Sequence, residues 1–496
     1  MDNLFNISTE KSGKDKLSTF PQYLWKTLLK SSPQIFHKAS TASPICDHPI
    51  FSAILGHAGL FHQINTPYYH YYDLYIYFIL RTRAFGAKNN SIATPFYISF
   101  LQAVEKGTKM IITFNKEKFL EKLIPSMATV SNKSTIVSIE GVLIETMEDN
   151  SLRLTTYDML KGVRSYVEDV TVTEHGKYII NAGRLLQILR VMPDGEDVTI
   201  KVDANLSVTV GNDNSSFSLF AMNGKDFPSL PDLNGDMGFS LPQGVFKRMI
   251  AKVAHSVAAQ HVRPALCGAY FSFEKDMLDV TACDGFTLSK CRIKCDIDDI
   301  GREKIFEDEP YNMIIPGHAL SELSRMLDDS DEPVSIYIGV KHAMFHVGGI
   351  VFFTRLIDNE YIDYTRILPK EQTIFLRVNR ERLLAGLERA MLIAEGKHSG
   401  SGIGYVKLIV GENTLTLTST SAGGKVTDEM KCVHTGDTLE IGFNCRFLIN
   451  CVKAADTEEV MITMKGSNTA ITIEPTEAVE DKDFFYLVLP VRMNEK

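Results

Sequence analysis

Ile112-Thr113-Phe114-Asn115-Lys116-Glu117-Lys118-Phe119-Leu120-Glu121-Lys122-Leu123 holds three instructions in one short stretch. Ile112 to Phe114 reads as an apolar strand, Asn115 as a helix cap, and Phe119, Leu120 and Leu123 as the apolar stripe of the helix that follows. The order returns at Phe239-Ser240-Leu241-Pro242 before Phe246 and Ile250, and at Leu376-Arg377-Val378-Asn379 before Leu383, Leu384 and Leu387. Sister junctions lie between them. They are Ile179-Ile180-Asn181 before Leu185, Ile188 and Leu189; Ile314-Ile315-Pro316 before Leu320 and Leu323; and Ile441-Gly442-Phe443-Asn444 before Phe447 and Leu448. Phe114, Leu241 and Val378 are 127 and 137 residues apart, and Ile180, Ile315 and Phe443 are 135 and 128 apart. A period this long means three copies of a domain, each made of two similar halves.

The repeat dictates a shape. After each helix the pattern switches to alternation, as in Val198-Thr199-Ile200-Lys201-Val202, Val334-Ser335-Ile336-Tyr337-Ile338 and Val460-Met461-Ile462-Thr463-Met464. These predict half-buried strands, and short connections favour antiparallel meanders over a parallel sheet. The expected class is α+β: three tandem copies, each of two strand–helix–meander halves with the helices on one face of antiparallel sheets. The copies are expected at 110–236, 237–371 and 372–496, after a segment 1–109 that has no counterpart among them.

The helix faces left for solvent are basic. Lys116, Lys118, Lys122, Arg184 and Arg190 fall there in the first copy; Lys247, Arg248, Lys252 and Arg325 in the second; Arg380, Arg382, Arg389, Arg446 and Lys453 in the third. Yet the chain is acidic, with net charge −9; residues 1–109 carry +5, which leaves −14 for the rest. Positive charge on one repeated face of an acidic protein suits one that holds nucleic acid on that face. Exposed helix faces carry Lys and Arg in many proteins; recurrence at equivalent positions is what favours the nucleic-acid reading.

Residues 1–109 differ in composition. They hold the only Trp, Trp25, and an aromatic run from Tyr68 to Phe78 that is broken by Asp73. That run is shorter than the ~20 apolar residues of a membrane span, and the first residues lack the layout of a secretory signal. Codons for Glu105-Lys106-Gly107-Thr108-Lys109 can spell a purine-rich ribosome-binding tract just before Met110. The expectation is that translation starts at Met110, and that the preceding segment is disordered or a mis-annotated start.

Other chemistries find little support. The eight cysteines form no C-x-x-C pair, and no zinc spacing accompanies Cys291 and Cys295 or Cys445 and Cys451. Gly423-Gly424-Lys425 is followed by Val426, so the phosphate-loop pattern fails, and no G-x-S-x-G surrounds a serine. The histidines are scattered. No catalytic residue, metal or cofactor is expected. A β-rich repeat scaffold without DNA function remains the alternative, but it leaves the basic faces unused.

Several ordered motifs carry a resemblance. Asp226-Phe227-Pro228 closes the first copy; Val280-Thr281-Ala282-Cys283-Asp284-Gly285-Phe286-Thr287-Leu288 and Asp363-Tyr364-Thr365-Arg366-Ile367-Leu368-Pro369 lie in the second. Glu440-Ile441-Gly442-Phe443-Asn444 and Tyr486-Leu487-Val488-Leu489-Pro490-Val491-Arg492-Met493 lie in the third. From Met110 to Met493 the chain resembles the bacterial DNA polymerase III beta subunit, the replicative sliding clamp. The resemblance implies a head-to-tail homodimer closed into a ring around double-stranded DNA, bound without regard to sequence and without catalysis. It implies cytoplasmic, nucleoid-associated work with the replicative polymerase, the clamp loader, and other polymerases and mismatch-repair proteins carrying a short clamp-binding peptide.

Residue by residue, the resemblance implies DNA contacts from loop residues Lys133, Gln260 and Arg263, beside the helix cations Arg184, Arg190, Arg248, Lys252, Arg325, Arg382 and Arg446. Pro264 and Ala265 stand where relatives often carry two aromatics. The peptide cleft would be walled by Cys283, Gly285, Phe286, Thr287 and Leu288, by Ile362, Arg366 and Ile367, by Asn444 and Phe447, and by Leu487, Val488, Leu489, Pro490, Val491, Arg492 and Met493. Phe286 and Thr287 replace the His and Arg of many relatives, and Asn494, Glu495 and Lys496 run past the usual end. Ring closure would join Phe217 and Leu219 to Leu392 and Ile393.

Overall fold

Each of the six junctions folds as a strand followed directly by a helix. The computed structural model describes residues 108–131, 134–233, 235, 237–302, 310–394, 405–477 and 483–493. The expectations for residues 1–107 and for Lys133 lie outside them. All described elements belong to the unit that begins at Gln102.

The α-helices among the described residues are α1 (Lys116–Ser126), α2 (Ala182–Val191), α3 (Gln243–Val253), α4 (Gly317–Met326), α5 (Arg380–Ala394) and α6 (Cys445–Ala454). Four begin on an asparagine whose Oδ1 accepts a backbone N–H: Asn115 from Lys118, Asn181 from Arg184, Asn379 from Arg382 and Asn444 from Arg446, all at 3.0–3.1 Å. Such a bond satisfies one of the amides that a helix start leaves unpaired. Pro242 and Pro316 hold the same place in the second copy, with no donor to satisfy and φ of −61° at each. Within each copy the two helices pack side by side, and α3 also meets α6. Their apolar stripes, such as Phe119 with Leu123 and Phe246 with Ile250, are fully buried against the sheets.

The basic faces are thinner than the sequence implies. Lys116 is buried; its Nζ donates to the Met192 carbonyl at 2.9 Å and to the Asp194 carboxylate. The cause is helical spacing: Lys116 stands three residues before Phe119 and seven before Leu123, on their stripe. Lys252 is only 8% exposed, with Nζ 2.5 Å from Asp456 Oδ1 and 4.6 Å from the centre of the Phe484 ring. It follows Met249 by three residues and faces the third copy, which corrects its expected place on the DNA side.

Every strand pairing is antiparallel, and the described strands form sheets of fourteen, nine and four. The copies join by one rule. Six strands matter: β1 (Lys161–Val167), β2 (Ser216–Asn223), β3 (Thr287–Lys294), β4 (Ile350–Arg355), β5 (Gly424–Lys431) and β6 (Asp483–Val488). The fourth strand of the first copy, β1, pairs with the last strand of the second, β4. The fourth strand of the second copy, β3, pairs with the last of the third, β6. Among the described residues, β5 and the Ser216–Phe220 half of β2 each have a neighbour on one side only. They are the fourth strand of the last copy and the last strand of the first.

Candidate functional site

The second seam gathers the residues of the candidate cleft. Its entrance is the hairpin between the strand Met277–Cys283 and β3, where Asp284 Oδ1 accepts the Phe286 amide at 2.8 Å and the Thr287 amide at 2.6 Å. Gly285 turns the chain at φ +88°, a region that penalises any Cβ. This tight turn pushes Phe286 outward, 61% exposed, where its ring stacks on Phe447 of α6 with centroids 5.9 Å apart. Leu266, Cys283, Leu288 and Leu487 form the floor, with Tyr361, Ile362, Tyr364 and Leu368 packed against them. Burial pushes the Cys283 thiol up, so the floor presents a neutral thiol.

The chain end frames the other side. Leu489 donates its amide to the Phe286 carbonyl at 2.9 Å, and Val491 donates to the Gly442 carbonyl at 2.8 Å. A Cβ built on Gly442 would stand 2.9 Å from Met493 Cγ, so a larger residue there would displace the Met493 side chain. The 3-10 turn Tyr364–Arg366 is capped by Asp363, whose Oδ2 also meets Arg366 Nε at 2.8 Å, and leaves Ile367 exposed.

The structure therefore brings Cys283, Gly285, Phe286, Leu288, Ile362, Arg366, Ile367, Asn444, Phe447, Leu487, Leu489, Val491 and Met493 to one place. Thr287 and Val488 are almost wholly buried, as are Cys283, Leu288 and Leu487 of the floor. Pro490 continues the rim and Arg492 is exposed. Sequence reasoning missed Leu266, Tyr361, Tyr364 and Leu368. Leu266 had a readable signal, as the first apolar side chain after the Arg263-Pro264-Ala265 loop.

Arg184, Arg190, Arg248, Arg325, Arg382 and Arg446 are exposed on their helices, and Gln260 and Arg263 on a loop beside Val262. Several neighbouring cations are neutralised locally: Lys118 by Asp169 at 2.6 Å, Lys247 by Asp329 at 3.1 Å, Lys453 by Glu388 at 2.9 Å, and Arg389 by Asp428. Arg325 donates to Glu322 at 2.8 Å but keeps most of its surface in solvent.

At the open edges, Phe217 and Leu219 of β2 rest on the first core, and Phe220 projects from the strand, 82% exposed. Beside β2 is a pocket of about 420 Å³ lined by Arg184, Gln187, Ile188 and Val191 of α2 with Phe217, Ser218 and Leu219. Across the molecule, Leu392 ends α5 78% exposed, and Ile393 Cδ1 lies 3.8 Å from a Cβ built on Gly424 at the start of β5.

Among the described residues no group of His, Cys, Asp and Glu could hold a metal, and no helix is long and apolar enough to cross a membrane. Sequence models of the DNA polymerase III beta subunit match three consecutive stretches: the N-terminal domain at 110–231, the central domain at 240–363 and the C-terminal domain at 365–492. The chain belongs to the DNA polymerase III beta subunit family. It is 29% identical over 385 residues to the beta sliding clamp of Escherichia coli K12, covering 77% of this chain and 100% of the relative. With the clamp of Staphylococcus epidermidis it shares 28% over 392 residues, 77% of this chain and 99% of that one. The crystal structure of the DNA polymerase sliding clamp from Bacillus subtilis matches with a TM-score of 0.70 and 26% identity, over 78% of this chain and 100% of that chain. The family's beta subunits are thus the relatives of all three repeat copies.

Proposed function

We propose that two copies of this chain close head to tail into a ring that encircles duplex DNA and slides along it, as the non-catalytic processivity factor of the replicative polymerase. The observation that carries this reading is the seam rule. Copy one joins copy two, and copy two joins copy three, by pairing a fourth strand with a last strand. The same rule offers β5 of one subunit to β2 of another, and satisfies two edges that would otherwise invite indiscriminate pairing. Each contact uses two different surfaces, so the association is head-to-tail and must close to avoid a filament. Leu392 and Ile393 supply the apolar contact opposite Phe217 and Leu219.

On the helix face Arg184, Arg190, Arg248, Arg325, Arg382 and Arg446, with Gln260 and Arg263 on the rim, meet phosphates rather than base edges. Their grip is weak and salt-dependent, as sliding requires, and retention is topological. The cleft of the second seam takes a linear peptide with Leu and Phe anchors from the polymerase catalytic subunit, clamp loader, other polymerases or mismatch-repair proteins. Domain boundaries near 236 and 371 and work on the nucleoid in the cytoplasm belong to the same reading.

Retention tests it. The chain is loaded by its clamp loader onto a nicked plasmid circle and the DNA fraction is isolated before and after linearisation. A ring stays on the circle and is lost from the cut molecule; equal retention on both would overturn encirclement.

A further inference from the structure

The cleft rests on a buried polar chain that the floor and rim do not explain. Thr287 Oγ1 lies 2.8 Å from Ser256 Oγ, and Ser256 Oγ lies 2.7 Å from Ser289 Oγ. Ser289 Oγ is 3.0 Å from His255 Nε2, which stands 3.6 Å from Cys451 Sγ. Ser256, Ser289 and Cys451 are fully buried. The chain runs from the hairpin that presents Phe286, through the 3-10 turn Ala254–Ser256 after α3, to α6. Cys451 stands one helical turn from Phe447, on the same side of α6. Both aromatic walls of the cleft are therefore tied to one set of hydrogen bonds.

The repeat shows that the fold does not demand this arrangement. The equivalent turn of the first copy is Met127–Thr129, so Ala128 stands where His255 does and Thr129 where Ser256 does. Lys161 and Val163 of β1 correspond to Thr287 and Ser289 of β3. There Lys161 Nζ donates to the Ala128 carbonyl of its own copy at 2.8 Å and reaches across the first seam to Glu322 Oε1 at 2.9 Å. Thr129 pairs with Thr156 at 2.7 Å, and no imidazole takes part. One seam is bolted by an ion pair; the other, which bears the cleft, carries the hydroxyl–imidazole relay instead.

We propose that Ser256 and His255 are positioning residues for peptide capture: the relay Thr287–Ser256–Ser289–His255–Cys451 sets the separation and angle of the Phe286 and Phe447 walls. This rests on the reading of the second seam as a peptide cleft. Removing the Ser256 hydroxyl leaves the buried Thr287 hydroxyl without this partner and Ser289 with His255 alone, which favours local rearrangement of the hairpin. The neutral imidazole suits the role, and burial holds its pKa down to about 4.

The test uses the full chain and a fluorescent peptide with a Leu-Phe anchor pair, beside amide hydrogen exchange of Phe286 and Thr287. Ser256→Ala is expected to weaken peptide binding at least tenfold and to speed exchange at both amides, with Ser256→Thr restoring much of each. Thr129→Ala removes the corresponding hydroxyl of the first copy; it is expected to leave peptide affinity within twofold of the parent while losing comparable stability. Affinity within twofold for Ser256→Ala, or equal losses in Ser256→Ala and Thr129→Ala, would overturn the relay. If the parent chain binds no peptide, the cleft reading fails, and the exchange rates alone decide: unchanged Phe286 and Thr287 exchange in Ser256→Ala overturns the relay as well.

Discussion

Leu392→Ala separates ring closure from folding, because Leu392 is 78% exposed in the single subunit and its truncation removes no core contact. On the proposed ring the side chain would enter the partner's pocket between α2 and β2, whose volume is about 420 Å³. Removing its three distal carbons forfeits about 0.8 kcal/mol per methylene-sized group, or ~2 kcal/mol at one contact. A ring of two holds that contact twice, so the dimer loses ~4 kcal/mol. At ~1.4 kcal/mol per decade, the dissociation constant rises about a thousandfold. Sedimentation velocity across a dilution series reads the shift directly, and urea unfolding of the same variant is expected to match the parent at concentrations where both are monomeric. A dissociation constant within threefold of the parent would refute the reasoning, and so would a lowered monomer midpoint, which would make Leu392 a core residue. Ile393→Ala is expected to act in the same direction but less, since Ile393 already rests over Gly424.

Further outcomes follow from groups already placed. Lys161→Met at the first seam strips a partner from Glu322, whose side chain is 11% exposed, and is expected to cost about 2–4 kcal/mol because Arg325 still meets that carboxylate; adding Glu322→Leu should recover part of the loss in urea unfolding. Arg248→Ala is expected to weaken binding to unrelated duplexes equally and to lower the log–log salt slope by about 0.9 for each subunit's lost phosphate contact, measured by fluorescence titration. His255 is a base whose folded pKa is depressed from 6.5 to about 4, so the unfolded chain binds more protons between those values. Stability from this site is complete above pH 6.5 and declines as pH falls toward 4, by about 3 kcal/mol at most. Cys451 and Tyr486, which face the imidazole, are both pushed up by burial and stay neutral throughout. His255→Gln should flatten that part of the stability profile.

The junctions were legible because capping and amphipathic spacing are local. All six helices start where the Asn or Pro stands, and the alternating runs are strands in antiparallel meanders. The buried lysines were missed because residue type was weighed above position: Lys116 shares the stripe of Phe119 and Leu123, and its long stem lets the ammonium reach Met192 and Asp194 while the methylenes lie in the core. Strand pairing between copies involves contacts far apart in sequence, such as Gly162 with Phe353 and Leu288 with Leu487. Periodicity fixes which strands exist; it does not say which edges meet. The cleft residues were placed by resemblance, and the ones overlooked lie on connections whose geometry only the packed seam defines.

The two seams differ at three matched positions. At the first seam Gly162 of β1 faces Phe353 of β4, and the ring occupies the space that a Cβ on Gly162 would need: the built atom falls 2.2 Å from Phe353 Cζ. Tyr157 then covers that ring, with centroids 5.6 Å apart, and the junction is filled. At the second seam the corresponding residues are Leu288 facing Leu487, with Cys283 in place of Tyr157. Two aromatic rings have become a leucine and a thiol, while the glycine between them has become a leucine. Leu266, Tyr361, Ile362 and Leu368 pack against these residues, and Phe286, Ile367 and Leu489 nearby stay substantially exposed. Leaving such side chains in water is unfavourable for an isolated seam; on the proposed reading this is offset when a partner's leucine or phenylalanine covers them, at ~1.5–3 kcal/mol for each buried anchor. The duplicated domain thus uses one strand-pairing rule to hold its copies together and varies the packing at three matched positions, which on the proposed reading makes a place for a ligand.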